Sequence, residues 1–338
     1  MLKQILPNIY LNEIPLPNSP LRVLNSYIIS SENRTLIIDA GFNTKECKKA
    51  FLQGIEEIGV ALSSVDLLIT HMHVDHSGLA VELNKNNMNI LTGKTDGKLM
   101  NKVFINGYKE GYWEFLELSN LNKYFKSERL SKFTKDPAFN IAGTDPIKYQ
   151  PLIEGEEIIV GEYKFKVVDI PGHTPGHIGL YEEKHRLFFG GDHVLDQISP
   201  NITIWNFEQD IISEYLNSLK KVYDLDVDYL FAGHRNIIRD HRRRINEIIE
   251  HHHKRLEEIK EIVMKGRKSV IDIAAEMKWD IKFDDWEDFP PAQKYFAAGE
   301  AMAHLEHLVF KGEVARIKEK GIFYYSLKNQ CTDLLACN

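Results

Sequence analysis

Residues 70–78 read Thr-His-Met-His-Val-Asp-His-Ser-Gly, which places three imidazoles and one carboxylate close together in the chain. These side chains belong to His71, His73, Asp75 and His76. Imidazole nitrogen and carboxylate oxygen bind Zn²⁺ and similar divalent ions at roughly 2.0–2.2 Å. Four such ligands so near each other can supply part of the coordination of two ions, and they therefore predict a site for two metal ions.

The residues around this stretch indicate how its geometry is held. Residues 65–70 form a short apolar run typical of a buried strand, and a helical pattern begins at residues 78–83. The ligands are therefore predicted on a strand-to-helix loop. A strand end positions side chains accurately, and the free N–H groups of the following helix favour anionic groups nearby.

Three later segments repeat this pattern. Apolar runs at residues 167–170, 187–189 and 229–231 each lead into Gly or Pro and then into a ligand-type residue. Glycine lets the backbone turn sharply and approach a metal without a Cβ clash. The ligand-type residues that follow are His173 and His177, Asp192 and His193, and His234.

The order of these residues resembles the metallo-β-lactamase superfamily over roughly residues 8–240. The resemblance implies an α+β fold, a four-layer αββα sandwich. It also implies seven metal ligands around two ions. These are His71, His73 and His173 for the first ion, Asp75, His76 and His234 for the second, and Asp192 as the bridge between them.

Four further residues are candidates for supporting the site. Residues 25–29 and 36–41 resemble the family's early strand motif, which implies that the Asp39 carboxylate lies behind a ligand. His177 and His193 each follow a ligand position without completing either set, so each either faces a ligand or substrate or is structural. Arg235 stands where related hydrolases often have a small residue. It either holds a substrate carboxylate or phosphate, or turns outward into solvent.

Two adjacent ions imply a hydrolytic mechanism. A water shared between them loses its proton near neutral pH and becomes a hydroxide nucleophile. Asp192 and Asp75 are the predicted catalytic carboxylates, since Asp192 would position both ions and Asp75 would orient the water or accept its proton. Zn²⁺ is the default ion, and Fe or Mn suit the same mixed ligand set.

The sequence indicates two alternatives for the bond that the protein cleaves. Residues 171–177, Pro-Gly-His-Thr-Pro-Gly-His, look like the hydroxyacylglutathione-hydrolase branch, which implies acyl hydrolysis of a small-molecule thioester, lactone or related ester. Residues 191–195 and 217–220 are similar to the β-lactamase-like endoribonuclease branch, which implies phosphodiester hydrolysis with RNA as the partner. A regulatory or binding protein with a vestigial site is a third class, but the intact ligand set argues against it.

Residues 98–150 interrupt the alternation of strands and helices and are rich in aromatic residues. We predict a largely helical insertion in a catalytic domain that spans residues 1–240. The insertion either covers the metal site or forms an ordinary packing unit or dimer contact.

The remainder of the chain predicts a second module. Residues 241–266 form a connecting helix, in which Ile245, His252 and Ile259 belong to the packed face and His251 and His253 point elsewhere. Residues 267–338 then read as helix, helix and hairpin, which resembles a winged-helix module. From Lys265 onward, eleven Lys and Arg stand against twelve Asp and Glu, a charge of −1. That balance disfavours DNA binding and favours packing or homodimerisation.

Composition limits the class of protein. A content of 43% hydrophobic residues is ordinary for a soluble globular chain, and a net charge of −7 offers no general attraction for nucleic acid. We expect no membrane association and no signal peptide, because apolar stretches of about 20 residues are lacking. Three cysteines without a CxxC pair predict a cytoplasmic location.

Overall fold

A computed structural model describes residues 2–107, 109–124 and 145–330. Residues 125–144 of the predicted insertion and residues 331–338 of the predicted C-terminal module lie outside this range. Within it, the chain forms two compact units. The first unit contains residues 2–107, 145–200 and 217–246, and the second contains residues 109–124, 201–216 and 247–330.

The larger sheet of the first unit has seven strands. They are β1 (Lys3–Leu6), β2 (Ile9–Pro15), β3 (Val23–Ser30), β4 (Thr35–Ile38), β5 (Val65–Ile69), β6 (Asn89–Gly93) and β7 (Gln150–Leu152). Their spatial order follows the chain. Pairing is antiparallel from β1 to β4 and parallel from β4 to β7. Of the parallel strands, β4, β5 and β6 are largely buried and mainly apolar, as a sheet covered on both faces requires, whereas β7 at the edge is mostly exposed.

The second sheet of the first unit has five strands. They are β8 (Glu157–Val160), β9 (Tyr163–Asp169), β10 (Ile178–Glu182), β11 (Leu187–Gly191) and β12 (Tyr229–Ala232). The spatial order is β12-β11-β10-β9-β8, and β11 and β12 form its parallel pair. Because β11 and β12 run in the same direction, the residues that follow them emerge at the same edge of the sheet.

The core of the first unit lies between the two sheets. Leu68 and Leu91 of the larger sheet share one buried cluster with Phe189 and Phe231 of the smaller sheet. The rings of Phe189 and Phe231 stack with centroids 4.4 Å apart, and the Tyr27 ring packs edge-on against both. Each such buried aromatic side chain contributes about 1.5–3 kcal/mol, so the strand ends that follow these residues rest on a rigid base.

Helices accompany both units. Those of the first unit are α1 (Lys45–Ile58), α2 (Val74–Ser77), α3 (Ala80–Lys85) and α4 (Lys94–Asn106). The later helices are α5 (Lys109–Leu118), α6 (Ile211–Tyr223), α7 (His241–Met264), α8 (Val270–Glu276) and α9 (Pro291–Phe310). In the first unit α1 packs on β2 and α4 packs on β6. These mixed sheets and helices confirm the predicted α+β class.

The second unit has its own core and a small sheet. Its strands are β13 (Lys268–Ser269), β14 (Val314–Glu319) and β15 (Ile322–Leu327), in the antiparallel order β13-β15-β14. Leu116 of α5 and Ile259 of α7 lie in its buried cluster with Met302 of α9. Part of the aromatic-rich segment therefore belongs to the core of the second unit.

The long helix α7 has the face that its sequence predicts. Ile245, His252 and Ile259 are buried, whereas His253 is exposed and His251 is half-buried. The stripe of apolar residues at spacings of three and four is therefore confirmed as the packed face. None of the helices in the described ranges combines the length and apolar character needed to cross a lipid bilayer.

Candidate metal centre

Loops that follow four strands of the first unit supply the candidate site. The first cluster lies between the end of β5 at Ile69 and the start of α2 at Val74, and continues into α2. His173 follows β9, Asp192 follows β11 and His234 follows β12. Strands that are fixed in the core thus deliver the side chains to one edge of the sandwich.

The structure brings all seven predicted ligands together. They form three groups, and within each group the candidate donor atoms lie no more than 4.8 Å apart. The groups are His71, His73 and His173; His71, His76 and Asp192; and Asp75, His76 and His234. The shared members show that the groups adjoin one another.

The distances between donor atoms suit metal coordination. Asp192 Oδ1 lies 3.4 Å from Nε2 of His76, and Asp192 Oδ2 lies 3.5 Å from Nε2 of His234. His234 Nε2 also lies 3.4 Å from Asp75 Oδ2. A tetrahedral ion with ligands at 2.0–2.2 Å separates them by roughly 3.3–3.6 Å. These side chains are therefore spaced as the ligands of an ion are spaced.

The remaining imidazoles approach each other closely. His73 Nδ1 and His173 Nε2 lie 2.9 Å apart, and His173 Nε2 lies 3.9 Å from Asp192 Oδ2. Both histidines therefore direct a ring nitrogen toward the same region as the bridging candidate. A small movement of one ring would open the shorter separation to that of two tetrahedral ligands.

Three of the imidazoles have one ring nitrogen engaged away from the cluster. His71 Nδ1 lies 3.1 Å from Thr70 Oγ1, and His76 Nδ1 lies 2.8 Å from Asp39 Oδ2. His234 Nδ1 lies 2.7 Å from the carbonyl oxygen of Val23. Because Nδ1 donates a proton in each bond, the neutral ring presents the lone pair of Nε2 to the cluster, as a metal ligand must.

The atoms that face the cluster fit a metal ion on chemical grounds. Four of these atoms are buried and have no hydrogen-bond partner among the described residues. They are Nε2 of His71, His76 and His234, and Oδ1 of Asp192. Buried polar atoms are almost always paired, since an unpaired one costs about 1–3 kcal/mol. A set of nitrogen and oxygen donors that converge without hydrogen bonds to occupy their lone pairs suits a divalent cation.

Asp39 forms hydrogen bonds to residues of the stretch that carries the first four candidate ligands. Its carboxylate accepts hydrogen bonds from the backbone N–H and the hydroxyl of Thr70, each at 2.8 Å, in addition to the bond from His76. Asp39 itself has a left-handed backbone, with φ 61°. Asp tolerates that conformation better than most residues, because its short polar side chain bonds locally.

Opposite charges set the protonation of the group formed by Asp75, His76 and His234 when no cation is bound. Burial alone lowers the pKa of His76, but Asp192 and Asp39 outweigh it and raise that pKa well above the ordinary value. Burial alone raises the pKa of Asp75, but His76 and His234 bring it down to about 2. The carboxylates are thus ionised and ready to bind a cation, which would displace the imidazole protons.

The imidazoles of His71 and His73, by contrast, are held in the neutral form. Burial lowers the pKa of His71 well below its ordinary value, and the neighbouring imidazoles lower it further. Burial and His173 together lower the pKa of His73 to about 3. Neutral imidazole is the form that binds a metal ion, so at neutral pH these rings need not lose a proton first.

Two glycines allow the close approach. A Cβ at Gly233 would lie 2.5 Å from Asp192 Oδ1 and 2.7 Å from His76 Cε1. A Cβ at Gly191, where φ is +50°, would lie 2.6 Å from the Thr70 hydroxyl. The Gly residues before Asp192 and His234 are therefore sterically required, as the sequence pattern predicted.

The remaining predicted residues, His177, His193 and Arg235, differ in how far their side chains are buried. His177 and His193 are both fully buried, and the His177 ring lies 4.6 Å from the His71 ring between centroids. The side chain of Arg235 is exposed, while its carbonyl oxygen accepts a bond of 2.8 Å from Asn25 Nδ2. His177 therefore packs beside the candidate ligands, and Arg235 extends toward solvent.

Sequence reasoning missed Asp96. This residue is fully buried and accepts hydrogen bonds from Met72, Thr174 and Gly176, which neighbour the candidate ligands. A signal was present, because an apolar strand runs into Gly93 shortly before Asp96, as it does before the predicted ligands.

Comparison with known proteins identifies the family. Residues 20–234, more than half of the chain, match the Metallo-beta-lactamase superfamily, and residues 256–328 match the family Metallo-beta-lactamase-like, C-terminal domain. The chain therefore belongs to the metallo-β-lactamase superfamily and has the C-terminal domain found with it. The resemblance predicted from the ligand order is confirmed.

Individual relatives agree with this assignment. The probable metallo-hydrolase YqjP of Bacillus subtilis is 26% identical over 247 residues, which cover 70% of this chain and 75% of YqjP. Hydroxyacylglutathione hydrolase GloC of Haemophilus influenzae is 29% identical over 167 residues, which cover 49% of this chain and 64% of GloC. The chain is thus similar to metallo-hydrolases.

The fold has a full-length counterpart among solved structures. A metallo-beta-lactamase family protein of Thermus thermophilus superposes with a TM-score of 0.78 at 24% identity. The match covers 96% of this chain and 100% of the other. The architecture of both units is therefore that of a known member of the superfamily.

Proposed function

We propose that this protein is a hydrolase that holds two divalent metal ions and cleaves an acyl bond in a small molecule. The observation that carries the proposal is the convergence of seven imidazole and carboxylate side chains, four of whose inner donor atoms are buried without a hydrogen-bond partner among the described residues. Membership of a superfamily with metallo-hydrolase relatives supports the same reading.

The residues divide between the two proposed ions. His71, His73 and His173 would hold one, Asp75, His76 and His234 would hold the other, and Asp192 would contact both. When bound, such a pair of cations lowers the pKa of water toward neutrality and polarises a carbonyl oxygen. Zn²⁺ suits a set of nitrogen and oxygen donors, and Fe or Mn are the alternatives.

Two carboxylates have roles beyond charge. Asp192 directs one oxygen toward His76 and the other toward His234 and His173, so it can fix the separation of the two ligand groups. Asp75 is the more exposed of the two and directs Oδ2 toward His234. Asp75 is therefore placed to orient an attacking water or to take its proton at Oδ2.

An acyl bond is favoured by the relatives and by charge. GloC is named a hydroxyacylglutathione hydrolase, and a hydroxyacylglutathione carries its acyl group on sulfur. The net charge of −7 gives no general attraction for RNA. We therefore place a thioester first, with a lactone or related ester next and a phosphodiester as the alternative.

The test combines metal analysis with substrate assays. We expect the purified protein to bind two equivalents of metal and to hydrolyse thioesters faster than lactones, without cleaving RNA. Asp192→Asn should lower metal content and hydrolysis together, whereas Asp228→Asn, which removes an exposed carboxylate paired with Arg186, should change neither. RNA cleavage without acyl turnover, or failure to take up metal, would overturn the proposal.

We propose a winged-helix-like module for the C-terminal part of the second unit. Helix α7, strand β13, helices α8 and α9 and the hairpin β14-β15 follow one another in the order that such a module has. Its slightly acidic balance supports packing or homodimerisation over DNA binding. A band-shift assay with duplex DNA is expected to show no complex, and a shifted band would refute the packing or homodimerisation role.

A further inference from the structure

Asp96 lies in the first turn of α4 and is fully buried in the first unit. Its carboxylate does not cap its own helix. It accepts hydrogen bonds from the backbone N–H of Met72 at 2.8 Å, the hydroxyl of Thr174 at 2.5 Å and the backbone N–H of Gly176 at 2.7 Å. One carboxylate therefore joins two loops that are about a hundred residues apart in the chain.

The positions of these donors connect Asp96 to the candidate ligands. Met72 stands between His71 and His73, and Thr174 directly follows His173. Asp96 thus fixes the backbone next to all three imidazoles of the first ligand group. Among the described residues, the hydrogen bonds of the Asp96 carboxylate go to Met72, Thr174 and Gly176, and none goes to Asp75, His76 or His234.

Two glycines show that this arrangement depends on close backbone contact. A Cβ at Gly176 would lie 2.3 Å from the backbone nitrogen of Asp96, and a Cβ at Gly93 would lie 2.4 Å from the carbonyl oxygen of Gly176. Side chains at these positions would separate the start of α4 from the loop that carries His173. The sequence therefore preserves the space in which the Asp96 carboxylate reaches both loops.

The buried carboxylate is also energetically expensive. Burial raises the pKa of Asp96 to about 6, although hydrogen bonds from Thr174, Met72 and Gly176 oppose the rise. A neutral side chain would avoid the cost of desolvating a charge. An ionised acceptor, however, makes shorter and stronger hydrogen bonds to N–H and O–H donors than a neutral one.

We propose that Asp96 is a positioning residue that sets the geometry of the first metal ion by holding the loops of His71, His73 and His173 in register. The inference rests on the proposed two-metal function and goes beyond it, because it assigns to the first ion a support distinct from the bond by which Asp39 orients His76. Residues that orient metal ligands typically account for a factor of about 10–100 in metal affinity.

The test measures the affinity for each metal ion separately by competition with a chelator of known affinity. Asp96→Asn removes the charge and replaces one acceptor oxygen by an N–H donor that faces a donor. We expect one of the two ions to bind about 10–100-fold more weakly, while the affinity for the other ion stays within a factor of a few. The matched control is Asp66→Asn, which alters a carboxylate bonded to Arg34 and Asn89 and should leave both affinities unchanged.

A second pair of variants guards against misfolding of Asp96→Asn. Thr174→Val removes only the hydroxyl bond and should weaken the same ion, whereas Thr174→Ser retains the hydroxyl and should restore its affinity. Equal weakening of both ions, or lower stability of the metal-free protein with unchanged affinities, would reduce Asp96 to a structural role and overturn the inference. Failure of the unmodified protein to bind two ions would instead refute the proposed function.

Discussion

Nδ1 of His76 lies 2.8 Å from Oδ2 of Asp39, and both side chains are almost completely buried. The Asp39 carboxylate comes from the end of β4, whereas His76 lies in α2. This bond places the proton of His76 on Nδ1 and turns Nε2 toward Asp192. The carboxylate therefore determines which nitrogen of His76 is available to a metal ion.

Replacement of Asp39 by Asn should weaken binding of the second ion. The Asn side chain can still accept the bond from Thr70, and Asn tolerates the left-handed backbone at this position. Its N–H₂ group, however, would donate to Nδ1 of His76 and favour the tautomer with the proton on Nε2. We expect metal affinity to fall about 10–100-fold in a chelator competition, with Asp226→Asn, an exposed carboxylate, as the unchanged control.

Gly233→Ala should disrupt the site through a steric clash. The new Cβ would meet Asp192 Oδ1 at 2.5 Å and His76 Cε1 at 2.7 Å, so both candidate ligands would have to move. A displacement of about 1 Å can cost 10²-fold in rate, and we expect a loss of that order in hydrolysis with reduced metal content.

The control for this substitution separates strain from displacement. Gly155→Ala places a Cβ 3.9 Å from Lys166 Cε, an ordinary contact distance, at a backbone φ of +86°, so it strains the backbone without a clash at a position outside the candidate site. It should lower stability slightly and leave metal content and hydrolysis unchanged. Equal losses of activity in the two variants would contradict the steric explanation.

Removal of metal should destabilise the protein. Four buried donor atoms of His71, His76, His234 and Asp192 lack hydrogen bonds when no cation binds them. A ligand that binds only the folded state stabilises it by about 2.7 kcal/mol when its free concentration is 100 times Kd. We expect a chelator to lower the thermal midpoint, added Zn²⁺ to restore it, and Asp192→Asn to show a smaller difference. An unchanged midpoint in the unmodified protein would contradict metal binding at this site.

The second unit should lose stability in mild acid because of a buried histidine pair. His304 Nδ1 lies 2.7 Å from the carbonyl oxygen of Glu300, and His304 Nε2 lies 3.0 Å from Nδ1 of His252. If each Nδ1 donates, both rings are neutral and His252 Nε2 is left buried without a partner among the described residues. Burial, helped by neighbouring charges, lowers the pKa of His252 well below 6.5, and burial lowers that of His304 to about 4.

The sign of the pH effect follows from these shifts. Below pH 6.5 the unfolded chain binds protons that the folded pair does not, so the free energy of unfolding falls as pH drops from 6.5 toward 4. Each such histidine contributes a slope of at most about 1.4 kcal/mol per pH unit. His252→Asn keeps a donor near the position of Nδ1 and removes one titrating ring, so urea unfolding should show a smaller slope.

His253→Asn is the matched control on the same helix. Its side chain is exposed, and the substitution should leave the dependence of stability on pH unchanged. If His252→Asn and the unmodified protein lose stability in parallel between pH 6.5 and 4, the buried pair does not cause the acid sensitivity.

Much of the fold was readable because its periodicities are local. The buried run before His71 is β5, the stripe on α7 is buried, and the hairpin about Gly321 pairs Val314–Glu319 with Ile322–Leu327. Each of these patterns depends only on the spacing of apolar residues and on glycine at turns. The seven candidate ligands are also readable from the sequence, because their residue types and order resemble those of the metallo-β-lactamase superfamily.

The contacts that orient those ligands were not readable in the same way. The bonds from Asp96 to Met72 and Thr174 join residues far apart in the chain, and no spacing rule links them. The sequence also left two alternatives for Arg235, contact with a substrate or exposure to solvent, and the structure shows that its side chain is exposed.

The sequence by itself determined which side chains can bind metal and on which strand ends they lie. Only the tertiary structure decided how they are held, with Asp39 on Nδ1 of His76, Val23 on Nδ1 of His234 and Asp96 between two loops. The physical reason is that residue type fixes the chemistry of a donor, whereas the direction of its lone pair depends on partners that only folding brings within hydrogen-bond distance.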